Sequence, residues 1–327
     1  MFNLLERSNL LSVQDLSVSF YLESGIVRAV DKVSFNVRKG ASYGIVGESG
    51  SGKTVTALTI MGLLPAPPAR VDSGRIFFRG ENLLAKTSQE MQQMRGSRIA
   101  MIYQDPMTSL NPVLRVGFQI AETLMVHESL SIRDAESKAI ELMSATGISQ
   151  PEKRAREFPH QFSGGMRQRI MIAMALATNP DLLIADEPTT ALDVITQAQI
   201  LALLKHIQEK YGMTVILITH DLGIIAELCD EVLVMYAGHA MEQGSCEEIF
   251  SDAKHPYTRA LLDSITRVDR NIRRLDAIPG MIPDLMNPPP GCRFNPRCPL
   301  AFNKCSAKEP PSIRIADNRF LKCWLEK

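Results

Sequence analysis

Hydrophobic and polar residues alternate with a period of two over residues 11–38, with turn-forming residues at 23–25. This pattern predicts two antiparallel strands. The short apolar run 42–46 predicts a buried strand, and residues 54–61 after it can open a helix. This part of the chain is therefore predicted to be a β-rich segment that leads into a strand, a loop and a helix.

Further along, short apolar runs alternate with segments whose apolar residues recur at three- and four-residue spacing. The runs predict strands at 75–79, 99–103, 182–185 and 213–219, and a hairpin at 231–235 and 238–242. The helical patterns lie at 88–98, 113–157, 166–177 and 197–209. Together these patterns predict an α/β fold, with a helical subdomain inserted at about 105–178.

The amino-acid composition is that of an ordinary globular protein. The 327 residues carry no net charge, with 45% hydrophobic and 22% charged residues, which is typical of a globular protein of about two domains. Neutral charge gives no general attraction to nucleic acid or anionic lipid. No signal peptide is indicated, and no apolar run approaches the ~18 residues of a membrane-spanning helix. A role at a membrane would therefore require a partner.

The strongest chemical signal is the stretch 47–54, which fits the phosphate-binding pattern G-x-x-x-x-G-K-[ST] between a predicted strand and a predicted helix. Its glycines let backbone N–H groups face an anion, and the helix N-terminus adds a positive dipole end. Lys53 is expected to reach the β- and γ-phosphates, and Thr54 to bind Mg²⁺. The predicted phosphate-binding residues are Gly47, Ser49, Gly50, Ser51, Gly52, Lys53 and Thr54.

Polar residues follow three of the later predicted strands. Asp186 is expected to hold Mg²⁺, and the adjacent Glu187 to polarise a water for attack on the γ-phosphate. Gln104 and His220 follow other strands at the edge where ligands bind, and are expected to contact the γ-phosphate. The predicted Mg²⁺ ligands are Thr54, Gln104 and Asp186.

Two further features each have a functional and an ordinary interpretation. Ser163, Gly164 and Gly165 precede a predicted helix, where they either bind a second phosphate group or serve as a serine N-cap with turn glycines. Phe20, or its neighbour Tyr21, lies at a strand end, where an aromatic ring either stacks on a purine or belongs to the core.

Four cysteines in the last part of the sequence give the spacing C-x5-C-x6-C-x17-C. Four thiolates in a proline-rich, loop-forming segment can hold tetrahedral Zn²⁺ or a [4Fe–4S] cluster, and free thiols are the third possibility. The C-x2-C pairs usual in structural zinc sites are absent, and wider loops fit a cluster no worse. The candidate ligands are Cys292, Cys298, Cys305 and Cys323.

The order of these motifs over residues 11–250 resembles that of an ABC transporter ATPase subunit. The matching motifs are Walker A (47–54), the Q-loop (Gln104), the signature (163–165), Walker B (186–187), the D-loop (Asp193) and the H-loop (His220). The resemblance implies ATP held between two such domains, with Phe20 stacked on adenine. The signature departs from the family pattern, because Met166 stands where glutamine is usual.

The segments 104–112, 255–262, 278–280 and 291–299 resemble importers of dipeptides and oligopeptides. This resemblance implies a nucleotide-binding domain at 1–250 and a C-terminal extension at 251–327. It favours a [4Fe–4S] cluster for the four cysteines of the extension, with zinc as the alternative. It implies that this subunit hydrolyses ATP at the cytoplasmic face of a bacterial inner membrane, and that this hydrolysis energises peptide import. Nickel, glutathione and antimicrobial peptides are the alternative substrates for the same kind of importer.

The implied partners are a second homologous ATPase subunit, two transmembrane permease subunits and a periplasmic or extracellular substrate-binding protein. A nucleic-acid partner is not expected. A soluble ABC ATPase acting on nucleic acid or ribosomes is the rival function, and neutral charge and the importer-like tail argue against it. A third hypothesis makes the tail a sensor that controls the ATPase.

Overall fold

The computed structural model describes residues 9–105, 109–190, 192–264 and 278–325. Parts of the predictions therefore lie outside the described residues: 106–108 after Gln104, Ala191 in the D-loop, 1–8 of the first predicted domain, and 265–277 and 326–327 of the second. The chain divides into two compact units, one formed by residues up to Ala85 and from Leu217 on, the other by Lys86–Ile216. None of the described helices is long and apolar enough to cross a membrane.

The first unit opens with an antiparallel sheet that confirms the period-two prediction. Its elements up to Ala85 are β1 (Asn9–Leu22), β2 (Gly25–Arg38), β3 (Ser42–Val46), α1 (Lys53–Met61), β4 (Ala69–Phe78) and β5 (Glu81–Asn82). The sheet has the order β2-β1-β4-β5, and Leu16 of β1 pairs with Val33 of β2. Strand β4 begins six residues before the predicted 75–79, at Ala69.

The second unit contains the predicted helices and two parallel strands. Its elements are α2 (Ser88–Met94), β6 (Ile99–Ile102), α3 (Val116–Glu128), α4 (Ile132–Ala145), α5 (Pro151–Arg154), α6 (Gly164–Leu176), β7 (Leu182–Asp186) and α7 (Val194–Tyr211). Strands β6 and β7 pair in parallel, with Ile99 opposite Leu182. All five residues of β7 are buried, as its continuous apolar run predicts.

The rest of the chain returns to the first unit through β8 (Thr214–Thr219). The later elements are α8 (Leu222–Leu228), β9 (Glu231–Tyr236), β10 (His239–Ser245), α9 (Cys246–Ser251), α10 (Pro256–Asp263), α11 (Asn303–Ala307), β11 (Ile313–Ala316) and β12 (Arg319–Leu321). Strands β9 and β10 form the predicted hairpin, and β3 pairs in parallel with β9.

The C-terminal extension continues the sheet that carries β3. Strand β12 pairs with β10, with Leu321 opposite Glu242, and β11 pairs with β12. An aromatic cluster reinforces this attachment, because the ring of Phe294 lies 5.2 Å from that of Tyr236 and 5.3 Å from that of Tyr257. The cysteine-containing segment is therefore packed against the same unit as the predicted phosphate-binding loop.

Candidate nucleotide-binding site

The loop between β3 and α1 has the conformation that its glycines permit. Gly50 has φ 76° and Gly52 has φ 101°, values that residues with a Cβ rarely adopt. A Cβ at Gly52 would lie 2.5 Å from the carbonyl oxygen of Ala29, so only glycine fits this position. The loop residues 47–52 thus end directly at the N-terminus of α1, as a phosphate-binding loop requires.

Lys53 is 5% exposed and its ammonium group lies over the loop. Its Nζ donates to the carbonyl oxygen of Gly47 at 2.7 Å and to that of Glu48 at 3.0 Å. Ser51 is also buried, whereas Ser49, Gly50 and Thr54 are exposed. The structure therefore brings a buried cation and a row of loop backbone groups to one place, which suits a phosphate chain.

The Glu48 residue of this loop is held by residues far away in the sequence. Its backbone N–H donates to the Tyr257 hydroxyl at 3.0 Å, and its carboxylate accepts two hydrogen bonds from Arg297. Sequence reasoning missed both partners, because no local pattern links a loop position to residues more than 200 positions later. The only signal was that Arg297 lies between two of the four clustered cysteines.

In the second unit, the structure brings Gln104 and Glu187 together. The Gln104 side-chain amide donates to Glu187 Oε2 at 2.9 Å, and the Thr190 hydroxyl donates to the same oxygen at 2.8 Å. Glu187 has φ 46°, which turns it away from the line of β7 just after the buried Asp186. Asp186 is thus buried at the end of β7 and Glu187 is half-buried just beyond it, and their roles in metal binding and water activation stay predictions.

Ser163 is the N-cap of α6, which is the ordinary role that the sequence offers for it, and its predicted role in phosphate binding stays a prediction. Its Oγ accepts a 3.4 Å hydrogen bond from the Met166 N–H. A Cβ at Gly165 would collide with the Thr196 side chain at the start of α7. Asp193 caps α7 by accepting from the Thr196 N–H at 2.9 Å, and this backbone hydrogen bond lowers the Asp193 pKa.

Phe20 and Tyr21 occupy consecutive positions of β1, so their side chains face opposite sides of the sheet. The Tyr21 hydroxyl donates to Asp72 at 2.9 Å, and the Arg70 guanidinium lies 5.9 Å from the centre of its ring. Tyr21 is therefore occupied by its own neighbours, and Phe20, which is half-buried, remains the predicted adenine contact. His220 is exposed at the end of β8, where the sequence places it.

The four tail cysteines line one cavity, together with aromatic side chains that include Phe294 and Trp324. Burial raises the pKa of Cys292 to about 11, and the neighbouring thiols add to this shift. Within the described ranges, however, no three His, Cys, Asp or Glu side chains form a group that could hold a metal ion. The thiols therefore share a space without forming a compact ligand set for one ion.

Comparison with known proteins decides the family. Residues 30–190 match the family model described as ABC transporter, and residues 241–305 match Oligopeptide/dipeptide transporter, C-terminal region. The oligopeptide transport ATP-binding protein OppD of Bacillus subtilis is 51% identical over 319 residues, covering 97% of this chain and 89% of the relative. This chain belongs to the ABC transporter ATP-binding family. The dipeptide transport ATP-binding protein DppD of Escherichia coli K12 is 48% identical, with 96% of each chain covered.

Solved structures place the fold in the same family. The dimeric ATP-binding cassette MJ0796, in a post-hydrolysis state bound to ADP and Pi, aligns with a TM-score of 0.65 and 26% identity over 72% of this chain and 98% of that one. The cbiO1 protein of Clostridium perfringens aligns with a TM-score of 0.63 and 28% identity over 75% and 92%. The α/β ABC ATPase fold is thus confirmed, and the chain is an ATPase of this transporter family.

Proposed function

We propose that this ABC ATPase energises the import of dipeptides and oligopeptides. The observation that carries the proposal is the presence, on one chain, of a phosphate-binding loop and a C-terminal region of the oligopeptide/dipeptide transporter type. Curated relatives with about half of their residues identical are named as oligopeptide and dipeptide transport ATP-binding proteins. Nickel, glutathione and antimicrobial peptides are the alternative substrates for the same machinery.

In the proposed mechanism, Lys53 and the loop amides bind the β- and γ-phosphates, and Phe20 stacks on adenine. Thr54, Gln104 and Asp186 would hold Mg²⁺, and the ion would supply positive charge next to the phosphates. Glu187 polarises the attacking water, and its carboxylate accepts a hydrogen bond from the Gln104 side-chain amide. His220 contacts the γ-phosphate.

The signature residues 163–165 act on nucleotide bound by a second ATPase subunit, identical or homologous. That role fits a helix N-terminus whose amides can face a phosphate. Residues 1–250 form the nucleotide-binding domain, and the helices between 105 and 178 transmit its movement to two permease subunits. The chain acts at the cytoplasmic face of the bacterial inner membrane, and a separate binding protein delivers the substrate.

The four tail cysteines hold a [4Fe–4S] cluster in this proposal, with Zn²⁺ as the alternative. Within the described residues no three His, Cys, Asp or Glu side chains form a ligand group for a metal ion, so the proposal is supported only by the cysteine spacing and by the cavity that the four thiols share. Because burial raises the Cys292 pKa, a thiolate there needs a bound cation. A bound cluster or zinc ion would cross-link the C-terminal extension and stabilise its fold.

The cluster is tested on protein purified without oxygen. Iron and acid-labile sulfide in equal amounts are expected, with visible absorption that disappears in Cys298→Ser and persists in Cys229→Ser, which lies outside the tail. Zinc without iron would show that the alternative, a zinc site, is correct. Protein without either metal would show that the four cysteines are free thiols.

Transport is tested in cells that lack this chain. Wild-type protein should restore uptake of a labelled dipeptide, whereas Glu187→Gln should still bind ATP and restore none. Nickel uptake measured in the same cells is the control for substrate class. Restoration of nickel uptake without dipeptide uptake would contradict the peptide assignment and leave the ATPase assignment intact.

A further inference from the structure

Arg297 of the C-terminal extension makes a contact with the phosphate-binding loop that the known family motifs do not include. Its Nη1 and Nη2 donate to the two carboxylate oxygens of Glu48, at 2.6 and 3.0 Å. The Arg297 side chain is 4% exposed and that of Glu48 is 26% exposed. This two-armed, largely buried geometry is the strongest form of an arginine–carboxylate pair.

The guanidinium is fixed on its other side by the tail itself. Nε donates to the carbonyl oxygen of Pro279 at 2.9 Å, and Nη2 to that of Ile278 at 3.2 Å. Nη1 also donates to the Tyr236 hydroxyl at 3.2 Å, so Arg297 ties the extension to strand β9 as well as to the loop. Its pKa is raised above the usual value, chiefly by the hydrogen bond to Glu48.

Glu48 connects Arg297 to Lys53, the residue that is proposed to bind phosphate. Its carbonyl oxygen accepts a 3.0 Å hydrogen bond from Lys53 Nζ, and its N–H donates to the Tyr257 hydroxyl at 3.0 Å. The side chain, the amide and the carbonyl of one loop residue are therefore all bound at once. Moving the Glu48 carboxylate would shift the backbone on which the Lys53 ammonium group rests.

A second arginine of the same segment braces the other end of the loop. Arg293 donates to the carbonyl oxygen of Ala237 and, at 2.9 Å, to Asp31. The next residue after Ala237, Gly238, donates its N–H to the carbonyl oxygen of Ser51 at 2.9 Å. The segment from Cys292 to Cys298 thus contacts Glu48 directly and Ser51 through the β9–β10 turn.

We propose that Arg297 is a positioning residue for the ATP site: it fixes the loop through Glu48 and so sets the affinity for ATP. The proposal rests on the assignment of residues 47–54 as the nucleotide site. The hydrogen bonds of Arg297 run to Glu48, Tyr236 and tail carbonyl oxygens, so its loss is expected to act on binding rather than on the chemical step. The extension is then a part of the nucleotide site and not only an appendage to the sheet.

The test measures the ATP dissociation constant and kcat of the full-length chain with Mg²⁺. Arg297→Gln and Glu48→Gln should each raise the dissociation constant about tenfold, a change of about 1.4 kcal/mol. Arg297→Lys, which keeps the charge but loses the two-armed geometry, should give a smaller rise. The kcat at saturating ATP should stay within about twofold of wild type, a split that general loss of structure would not produce.

The double variant with both substitutions should bind ATP about as well as either single variant, because the two changes break one contact. Arg314→Gln is the matched control, since this exposed arginine is in the same extension and bonds to its near neighbours Ala316 and Asp317. Glu48→Gln also covers the case in which Arg297→Gln fails to fold, because it leaves the contacts of Arg297 within the extension in place.

Two results would overturn the proposal: single variants that bind ATP as wild type does, or a double variant whose loss is the sum of the two. Lys53→Ala separates this failure from failure of the site itself. If Lys53→Ala abolishes ATP binding while Arg297→Gln and Glu48→Gln do not weaken it, only the positioning role is wrong. If Lys53→Ala binds ATP normally, the nucleotide site and the inference both fail.

Discussion

Phe294 is the side chain that joins the cysteine segment to the rest of the unit, and its replacement by alanine gives the most definite stability prediction. It is 1% exposed, and its ring lies 5.2 Å from Tyr236, 5.3 Å from Tyr257 and 5.9 Å from His255. Phe294→Ala would leave a cavity between the extension and β9, because rings attached to different elements cannot all move inward to fill it.

The expected loss follows from this burial. Removal of a fully buried phenylalanine costs about 3–5 kcal/mol in free energy of unfolding, and three ring contacts place this residue towards the upper end. Phe302→Ala is the matched control, because Phe302 lies in the same extension but is 45% exposed. We expect Phe302→Ala to cost less than about 0.5 kcal/mol.

The assay uses Trp324, the only tryptophan of the chain. Its Nε1 donates to the carbonyl oxygen of Lys308 at 2.9 Å, and the Lys304 ammonium lies 3.6 Å from its ring centre, so its fluorescence reports the folded extension. Phe294→Ala should lower the urea midpoint of unfolding measured by fluorescence, and the midpoint measured by circular dichroism should fall with it. Equal midpoints for Phe294→Ala and Phe302→Ala would refute the argument that Phe294 anchors the extension.

Two further predictions concern stability. Gly74→Ala should cost about 3 kcal/mol by urea unfolding, because φ is +107° and a Cβ would lie 2.6 Å from Leu16 Cα. Gly80→Ala, with φ +83° and open space around it, should cost only about 1 kcal/mol, and equal costs would contradict the steric argument. Burial lowers the pKa of His239 from 6.5 to about 4. Between these pH values His239 binds a proton in the unfolded chain but not in the folded one, so the folded state loses stability as the pH falls. At pH 5 this group should cost about 2 kcal/mol of stability relative to pH 7, and His239→Gln should remove that difference; an unchanged pH dependence would show that His239 is not responsible.

Much of the fold follows from local pattern. The alternation over 11–38 predicts β1 and β2, and the apolar run 182–185 predicts the buried β7. The first half of β4 escapes prediction because it follows prolines and contains Gly74, whose positive φ accompanies a register shift opposite Gln14–Ser17. The hairpin of β11 and β12 escapes because both strands are short, and β12 is held by long-range pairing with β10 and β11 by pairing with β12.

For the site, the phosphate-binding loop and the acidic residues after β7 are visible in sequence because strand, glycine and charge occur side by side. No local pattern predicts the hydrogen bond between Gln104 and Glu187, since 83 residues separate them. The bonds from Arg297 to Glu48 and from Arg293 to Asp31 join residues 249 and 262 positions apart, and no periodicity encodes such pairs. Long-range ion pairs of this kind become visible only once the sheet that carries β3, β9 and β10 is known.

The most direct test of the account is peptide transport by the purified assembly in lipid vesicles. The chain is reconstituted with its permease and partner ATPase subunits, and a labelled dipeptide is presented with its binding protein on the side opposite ATP. We predict that the peptide accumulates only with Mg²⁺ and ATP, and that Glu187→Gln abolishes both accumulation and hydrolysis while ATP still binds. Hydrolysis without peptide movement, or accumulation that persists in Glu187→Gln, would contradict the account.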